Sequence, residues 1–418
     1  MTISPAPSPP GARRASLQAV LAFAWRSAEF TASEALHDVG LTRSTTIEAL
    51  DELALRGLLR ELPNARAGGD YRMGRPARRF ELRADAGVVI GVDAGRAHLT
   101  TIIADLRGVT LARAHVDLDV GHDSDDERRA ALADAVDAAL EDAGATRGSV
   151  LALCVGVPAP VDARGTSPVH PNGFWRRMNP ALGGMFAEWA PIVRVENDAS
   201  LAAVAEGSVG AAVGIHDYIA LLAGERLGAG VVVDGSLLRG AHGGVAEMVA
   251  FDHVNGVEGA WGLGYRAAQW AREAVRAGEI AAGHPLAAVG LEEIDGRMVL
   301  ELAAAGDEDA TAIAERVGGM LARVVAIFGS LFDPRRVVVC GGIAEGVGGV
   351  IDVARKELAQ SLDLPSPEIV ASALGADVVA TGAVSAALQA ALDGVLALRP
   401  ASRVAAPSMA DHSSPATS

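Results

Sequence analysis

Three acidic or amide side chains in a row, two glycine-rich turns and one further carboxylate hold most of the chemistry this sequence offers. Glu196, Asn197 and Asp198 follow the apolar run Ile192–Val195 and open an Ala-rich helix over residues 199–207. A carboxylate at the C-terminal end of a strand faces the crevice where α/β proteins take ligands, so Asp198 is placed to bind a hydroxyl or act as general base. Asp and Asn are also ordinary helix N-caps, and spacing alone favours that plainer role. The stretch from Val92 through Asp93, Gly95, Arg96 and His98 follows a buried strand, where a phosphate-binding turn would sit. A tight hairpin with a surface aspartate fits it equally well. A second glycine-rich turn runs from Gly224 through Glu225 to Gly228 and Gly230, and the loop Gly240–Glu247 brings in another carboxylate. His242 and His253 lie near Glu247, yet neither i,i+4 pairing nor a cysteine accompanies them, so no metal site is expected.

The N-terminal end offers different chemistry. Gly40–Thr46 places Arg43, Ser44, Thr45 and Thr46 at the start of a helix, where short polar groups reach base edges and backbone N–H groups meet phosphate. Downstream, Arg75, Arg78 and Arg79 flank Pro76 in a thin basic loop suited to DNA backbone or minor-groove contact. An ordinary three-helix bundle or a solvated basic face explains either feature alone. Both together, in this order, point to a winged helix-turn-helix.

The elements that position these groups follow from periodicity. Leu17, Val20, Leu21 and Ala24 form a helical stripe within 16–27; Thr31 and Glu34 open a second helix ending near Gly40; Thr42 caps a third, with Ile47, Leu50, Leu53 and Ala54 on one face. Arg78–Arg83 alternates as a returning strand. From Gly87 the texture becomes α/β, with strands expected at Val88–Val92, Val150–Val155, Ile192–Val195, Tyr218–Leu222, Val231–Val233 and Val337–Cys340. A strand followed by a glycine turn recurs at Val88–Gly95 and Ala220–Gly230, as two related lobes would produce, although one echo does not establish a repeat. The expected division is a disordered leader over 1–14, a DNA-binding head over 15–83, an effector and oligomerisation unit over 84–398 and a loose tail over 399–418.

The chain is 418 residues long, half of them hydrophobic and 21% charged, so a sizeable core is expected. The net charge of −16 argues against coating nucleic acid or an anionic membrane with the whole surface. It is unevenly spread: residues 1–83 carry +3 and the remainder −19. Lys356 is the single lysine. Cys154 and Cys340 sit in Val/Leu-rich runs and read as buried, reduced thiols of a cytoplasmic protein. No apolar stretch is read as long enough to span a bilayer, and Met1–Gly11 lacks the apolar core of a signal peptide.

In order, these pieces resemble the ROK family (repressor, open reading frame, kinase) in its version with an N-terminal winged helix. The resemblance runs from about Ser16 to Leu396. It rests on Gly74–Ala77 leading into Gly91–Gly95, Gly156–Asp162, Pro171–Gly173, Glu196–Ala199, Gly228–Gly230, Asp234–Gly235, Leu238–Glu247, Asp333–Pro334, Val339–Ile343 and Leu374–Asp377 with Gly382 and Ala383. Their collinear order decides the matter. The resemblance implies a two-lobed, actin-like ATPase fold with a sugar cleft. It also implies that Asp198 matches the general base of the family's sugar kinases, and that Asn172, Asn197, Glu247 and Glu258 match contacts to sugar hydroxyls. Repressors of the family bind operators as dimers or higher oligomers and are switched by a sugar.

The departures shape the expectation as much as the matches do. The family's first phosphate turn has a glycine where this chain has Arg96, and its second has a threonine where this chain has Glu225. Like charges meeting in a desolvated cleft cost several kcal/mol. Three residues after Glu247 the family's histidine is replaced by Ala250, and the cysteine cluster that would hold zinc is missing from Phe251–Arg266. Neither zinc nor ATP is therefore expected as a cofactor, and Val254, Val257, Trp261 and Leu263 are expected to hold that loop by apolar packing. The expectation is a transcriptional regulator, a repressor by resemblance. Its partners would be a double-stranded DNA operator and a small sugar or sugar-phosphate effector. It would form a homodimer or homotetramer and have no membrane partner. The alternative is an active ATP-dependent sugar kinase with a DNA-binding head and Asp198 as its catalytic base.

Overall fold

Helix caps written into the sequence shape the N-terminal unit. In the computed structural model, which describes residues 10–63, 78–118, 124–170, 172–361 and 365–398, helices run over Pro10–Arg26, Ala32–Val39 and Arg43–Leu55. Thr31 accepts from the Glu34 backbone N–H while the Glu34 carboxylate accepts from Thr31 N–H, and Gly40, at φ 64°, ends the second helix. Strands β1 (Glu29–Thr31), β2 (Leu59–Leu62) and β3 (Arg79–Leu82) pair antiparallel in the order β1-β3-β2. Leu21, Leu50, Leu53 and Phe80 are fully buried between helices and sheet, and Phe30 stacks on Phe80. Each such side chain contributes about 1.5–3 kcal/mol by leaving water. Three helices and a small antiparallel sheet in this order match the frame expected of a winged helix-turn-helix; the segment between β2 and β3, residues 64–77, lies outside the described residues.

Two boundaries differ from the sequence reading. The first helix starts at Pro10, inside the expected leader. The other unit ends at Ala391 rather than at 398, because the chain from Leu392 onward belongs to the head. Gln18 Nε2 donates to the Leu392 carbonyl at 2.8 Å, and Arg56 Nη1 to the Leu396 carbonyl at 3.1 Å. The change of unit falls within one uninterrupted helix, Val378–Gly394, so no turn residue or shift of composition marks it.

Ala84–Ala391 forms the second unit, built on two five-stranded sheets. The first contains β4 (Val88–Ala94), β5 (His98–Asp105), β6 (Thr110–Asp117), β7 (Val150–Val157) and β8 (Val193–Asn197), in the order β6-β5-β4-β7-β8. The second contains β9 (Tyr218–Ala223), β10 (Leu227–Val233), β11 (Ser236–Leu237), β12 (Arg336–Cys340) and β13 (Glu368–Ala371), in the order β11-β10-β9-β12-β13. Both orders describe one topology: an antiparallel three-strand meander whose first strand pairs in parallel with a later strand, which pairs in parallel with the next. The echo between Val88–Gly95 and Ala220–Gly230 thus marks corresponding places in two lobes of an actin-like ATPase fold. Sequence reading missed β5, β6, β11 and β13. The edge strand β6 is largely exposed, so it lacks the apolar run that marked its neighbours.

Close backbone approach joins the lobes. A Cβ on Gly91 would stand 2.5 Å from the backbone N of Val384, and one on Gly382 would stand 1.9 Å from the Leu201 carbonyl oxygen. Helix Val378–Gly394 therefore lies directly on β4 and on the helix Asp198–Ser208. The segment Gly375–Ala397 does reach the length and apolarity of a membrane span, which corrects the sequence reading; over half of its most apolar window is buried inside the fold. Cys154 and Cys340 are both buried and unbridged, and burial raises both thiol pKa values.

Candidate functional site

The end of β8 resolves the competition between cap and ligand group. Asn197 takes the N-cap: its Oδ1 accepts from Ser200 N–H at 2.9 Å, while its Nδ2 donates to the Ala159 carbonyl at 3.2 Å. Asp198 is left as the first helical residue, with Oδ1 accepting only the adjacent Ala199 N–H among the described hydrogen bonds. Burial pushes its carboxyl pKa up to about 8, and the neighbouring Asp93 and Glu247 carboxylates add to that. An acid poised near neutrality and free of the capping role is suited to exchange a proton with a ligand hydroxyl.

Glu247 comes from the second lobe. Its surface is open to solvent, but surrounding protein raises its carboxyl pKa, and Arg226 and His170 partly offset that. The turn that carries it is seated by Gly243, at φ 70°, where a Cβ would stand 1.9 Å from the Val161 carbonyl oxygen. Arg239 reaches from the same lobe to both oxygens of Glu196, each at 3.2 Å. Asp198, with Asn197 beside it, lies within electrostatic reach of Glu247, and Glu247 within reach of His170. Asn172 Oδ1 accepts from Phe174 N–H at 2.9 Å and lies 2.5 Å from His170 Nδ1. Glu258 has an exposed side chain and gives its carbonyl to Arg266; no contact among the described residues joins its carboxyl to the others.

The first turn is filled by its own side chains. Asp93 is buried, and His98 Nε2 lies 3.1 Å from its Oδ2, an attraction that raises the imidazole pKa. The His98 ring sits over Gly95, 2.6 Å from where a Cβ would be. The buried Arg128 guanidinium donates to the carbonyls of Ala94, Gly95 and Met178. At the tip, Arg96 Nη1 meets Glu225 Oε1 at 3.1 Å, so the β4–β5 hairpin of one lobe is tied to the β9–β10 hairpin of the other. Gly228 and Gly230 are not turn residues, as expected from sequence, but members of β10. Gly230 admits helix Asp198–Ser208, with the Ala199 carbonyl 2.3 Å from the position of a Cβ.

Sequence reasoning placed His98 in the first turn without giving it a partner, and assigned no role to Arg128, His170 or Arg226. The signal for His98 was its place at the start of an alternating strand; for Arg128 there was none, since its burial depends on lobe packing. In the loop once expected to lack zinc, Val257, Ala260 and Leu263 enter the core, and Trp261 stacks on Tyr265 with the Arg226 guanidinium over its ring at 4.9 Å.

In the head, Arg43 and Ser44 are exposed at the start of the third helix, and Thr42 caps it through Thr45 N–H. Thr46 does not join them: it is 1% exposed and its hydroxyl donates to the Thr42 carbonyl. The rotation of about 100° per helical residue carries it from the outer face to the inner one. Arg78 is paired with Asp51 and Glu61 and lies over the Phe80 ring, and Arg79 pairs with Glu29. Arg75 lies outside the described residues.

Known proteins share this construction. The chain is 27% identical over 211 residues to a xylose repressor of Caldicellulosiruptor bescii, covering 50% of this chain and 51% of the repressor. It is 35% identical over 213 residues to a bifunctional enzyme NanE/NanK of Brucella suis, covering 50% of this chain and 36% of the enzyme. It therefore spans about half or less of the length of these relatives. A crystal structure of a ROK family transcriptional regulator, a homologue of the E. coli MLC protein, superposes with a TM-score of 0.74 at 22% identity, covering 92% of this chain and 98% of that one, a likeness of fold. Residues 89–390 match the ROK family over most of the two-lobed unit, and the chain belongs to that family.

Proposed function

We propose that the protein is a DNA-binding transcriptional regulator whose kinase-like unit binds a small polyhydroxylated ligand without phosphorylating it. The observation that carries this reading is the Arg96–Glu225 pair, which stands across both turns where a sugar kinase would cradle polyphosphate. Phosphoryl transfer needs small-residue turns and charge neutralisation around the phosphates. Here one turn presents a carboxylate, and the other is occupied by Arg96 and His98. Asp198, Asn197 and Glu247 retain hydrogen-bonding groups suited to hydroxyls. The head supplies Arg43, Ser44 and Thr45 for the major groove, with Arg78 and Arg79 on the wing available to phosphates once they exchange their carboxylate partners. The xylose repressor among the relatives supports the regulator half. The regulator acts in the cytoplasm as a homodimer or homotetramer on an operator, and holds no zinc.

The test is a salt titration of binding to DNA, including the gene's own upstream region. Salt-sensitive binding released by a sugar or sugar phosphate is the expected result; absence of any salt-sensitive binding refutes the reading. A kinase is the second reading, favoured by the Asp198 pKa of about 8. Sugar-dependent ATP turnover, abolished in Asp198→Asn, would establish it in place of the first.

A further inference from the structure

The Arg96–Glu225 pair also bears on what the cleft binds. Arg96 is a surface guanidinium that reaches out of its own lobe to a carboxylate on the tip of the other, with both side chains about half exposed. Inward from it, the same turn holds His98 against Asp93, and Asp93 lies near enough to Asp198 to disfavour its ionisation. From Asp198 the neighbouring groups are thus Asp93, its partner His98 and, at the tip of the same β4–β5 hairpin, Arg96. Two of these carboxylates face a basic partner: Asp93 faces His98 and Glu225 faces Arg96. An anion that displaced Glu225 would take over its pairing with Arg96 and let Glu225 swing into water from an exposed hairpin tip.

Resting on the regulator reading above, the geometry points to a ligand that is a sugar bearing a phosphate monoester: its hydroxyls meet Asp198, Asn197 and Glu247, and its phosphate takes the place of the Glu225 carboxylate on Arg96. Glu225 is then a built-in stand-in for the ligand's anion, and Arg96 is the specificity-determining residue that separates a sugar phosphate from its parent sugar. The guanidinium fork matches phosphate oxygens as well as it matches a carboxylate. A phosphate carrying close to two charges at neutral pH outcompetes a single carboxylate there.

The two partners make opposite predictions, which separates a ligand seat from a simple clasp between lobes. Thermal shift and calorimetry on the full-length protein would use aldohexoses, aldopentoses and N-acetylhexosamines, each paired with its phosphate ester, with ATP alongside. At least one ester should bind more tightly than its parent sugar. Arg96→Ala should weaken that ester by about tenfold or more while leaving the parent sugar unchanged. Glu225→Gln should tighten it by about two- to fivefold, the range of an exposed ion pair. The inference falls if no ester exceeds its parent, if both substitutions weaken the ester, or if ATP binds more tightly than every ester. Preference for an ester without any DNA binding would uphold this inference and remove the regulator reading. DNA release by an unesterified sugar, with no ester preferred, would do the reverse.

Discussion

Replacing Gly230 by alanine should disturb the candidate site without touching a ligand group. The added methyl would stand 2.3 Å from the Ala199 carbonyl oxygen and 2.6 Å from the Ala203 Cβ. Carbon contacts settle near 3.5–4 Å, so strand β10 and helix Asp198–Ser208 must part by about 1 Å. Ala199 directly follows Asp198, and the Asn197 cap is bonded one residue further on, so the displacement carries both site residues with it. Overpacking of this kind costs about 1–3 kcal/mol. For a unit of this size that lowers Tm by about 2–5 °C. Because Asp198 moves relative to Glu247 on the other lobe, affinity for whichever sugar or ester shifts the wild type should fall about tenfold. Gly224→Ala is the control, since a Cβ there meets nothing within 4 Å. Scanning calorimetry and titration on both variants decide the case. A Gly230→Ala protein with wild-type Tm and affinity, or a Gly224→Ala protein that loses as much, would refute the steric argument.

Asp198→Asn should change stability in a pH-dependent way: between the ordinary carboxyl pKa of 3.8 and the folded value of about 8, the unfolded chain releases a proton that the folded one retains, so wild-type stability falls as pH rises through that window. The variant should match wild type near pH 3 and exceed it by pH 8 in urea denaturation; a difference that does not grow with pH counts against the raised pKa. His98→Gln works in the opposite sense, because the Asp93 pairing stabilises the protein below pH 6.5 and is lost as pH climbs through the raised imidazole pKa; its deficit should be largest at pH 6 and vanish in alkali. Arg43→Ala should reduce the salt slope of DNA binding by about one unit if it holds one phosphate, whereas Thr46→Ala should lower head stability and leave that slope unchanged. Chelation with EDTA should leave the Tm where it is, since Val257, Ala260 and Leu263 hold the Phe251–Arg266 loop in the core; a drop would show a structural metal.

Local rules carried much of the fold. Thr31, Glu34, Gly40 and Thr42 act on neighbours within four residues, so the three head helices are legible from the chain alone. The apolar runs at Val88, Val150, Tyr218 and Val337 are buried strands because nothing else can be done with them in water. The order of motifs from Gly91 to Ala383 identified the family before any contact was known. At Asn197 and Asp198 the sequence leaves cap and acid open, and the one-residue offset of the helix start gives the cap to Asn197.

What tertiary structure alone decided involves pairs far apart in sequence. Arg96 and Glu225 looked like two separate obstacles to phosphate, and their meeting depends on how two lobes close. The same holds for Gly230, whose lack of a side chain serves helix packing rather than a turn, and for Thr46, whose inward direction comes from the helix's own rotation against the core. Burial of Glu206, with its carboxylate held by Ser372 and Ala211 N–H, has no sequence signal, since a glutamate in an Ala-rich helix reads as surface. Leu392–Leu398 joins the head because its carbonyls find Gln18 and Arg56, residues more than 330 positions away. Periodicity reports which face of an element is apolar. Which element that face meets, and how a charge is compensated there, is settled only by the packed chain.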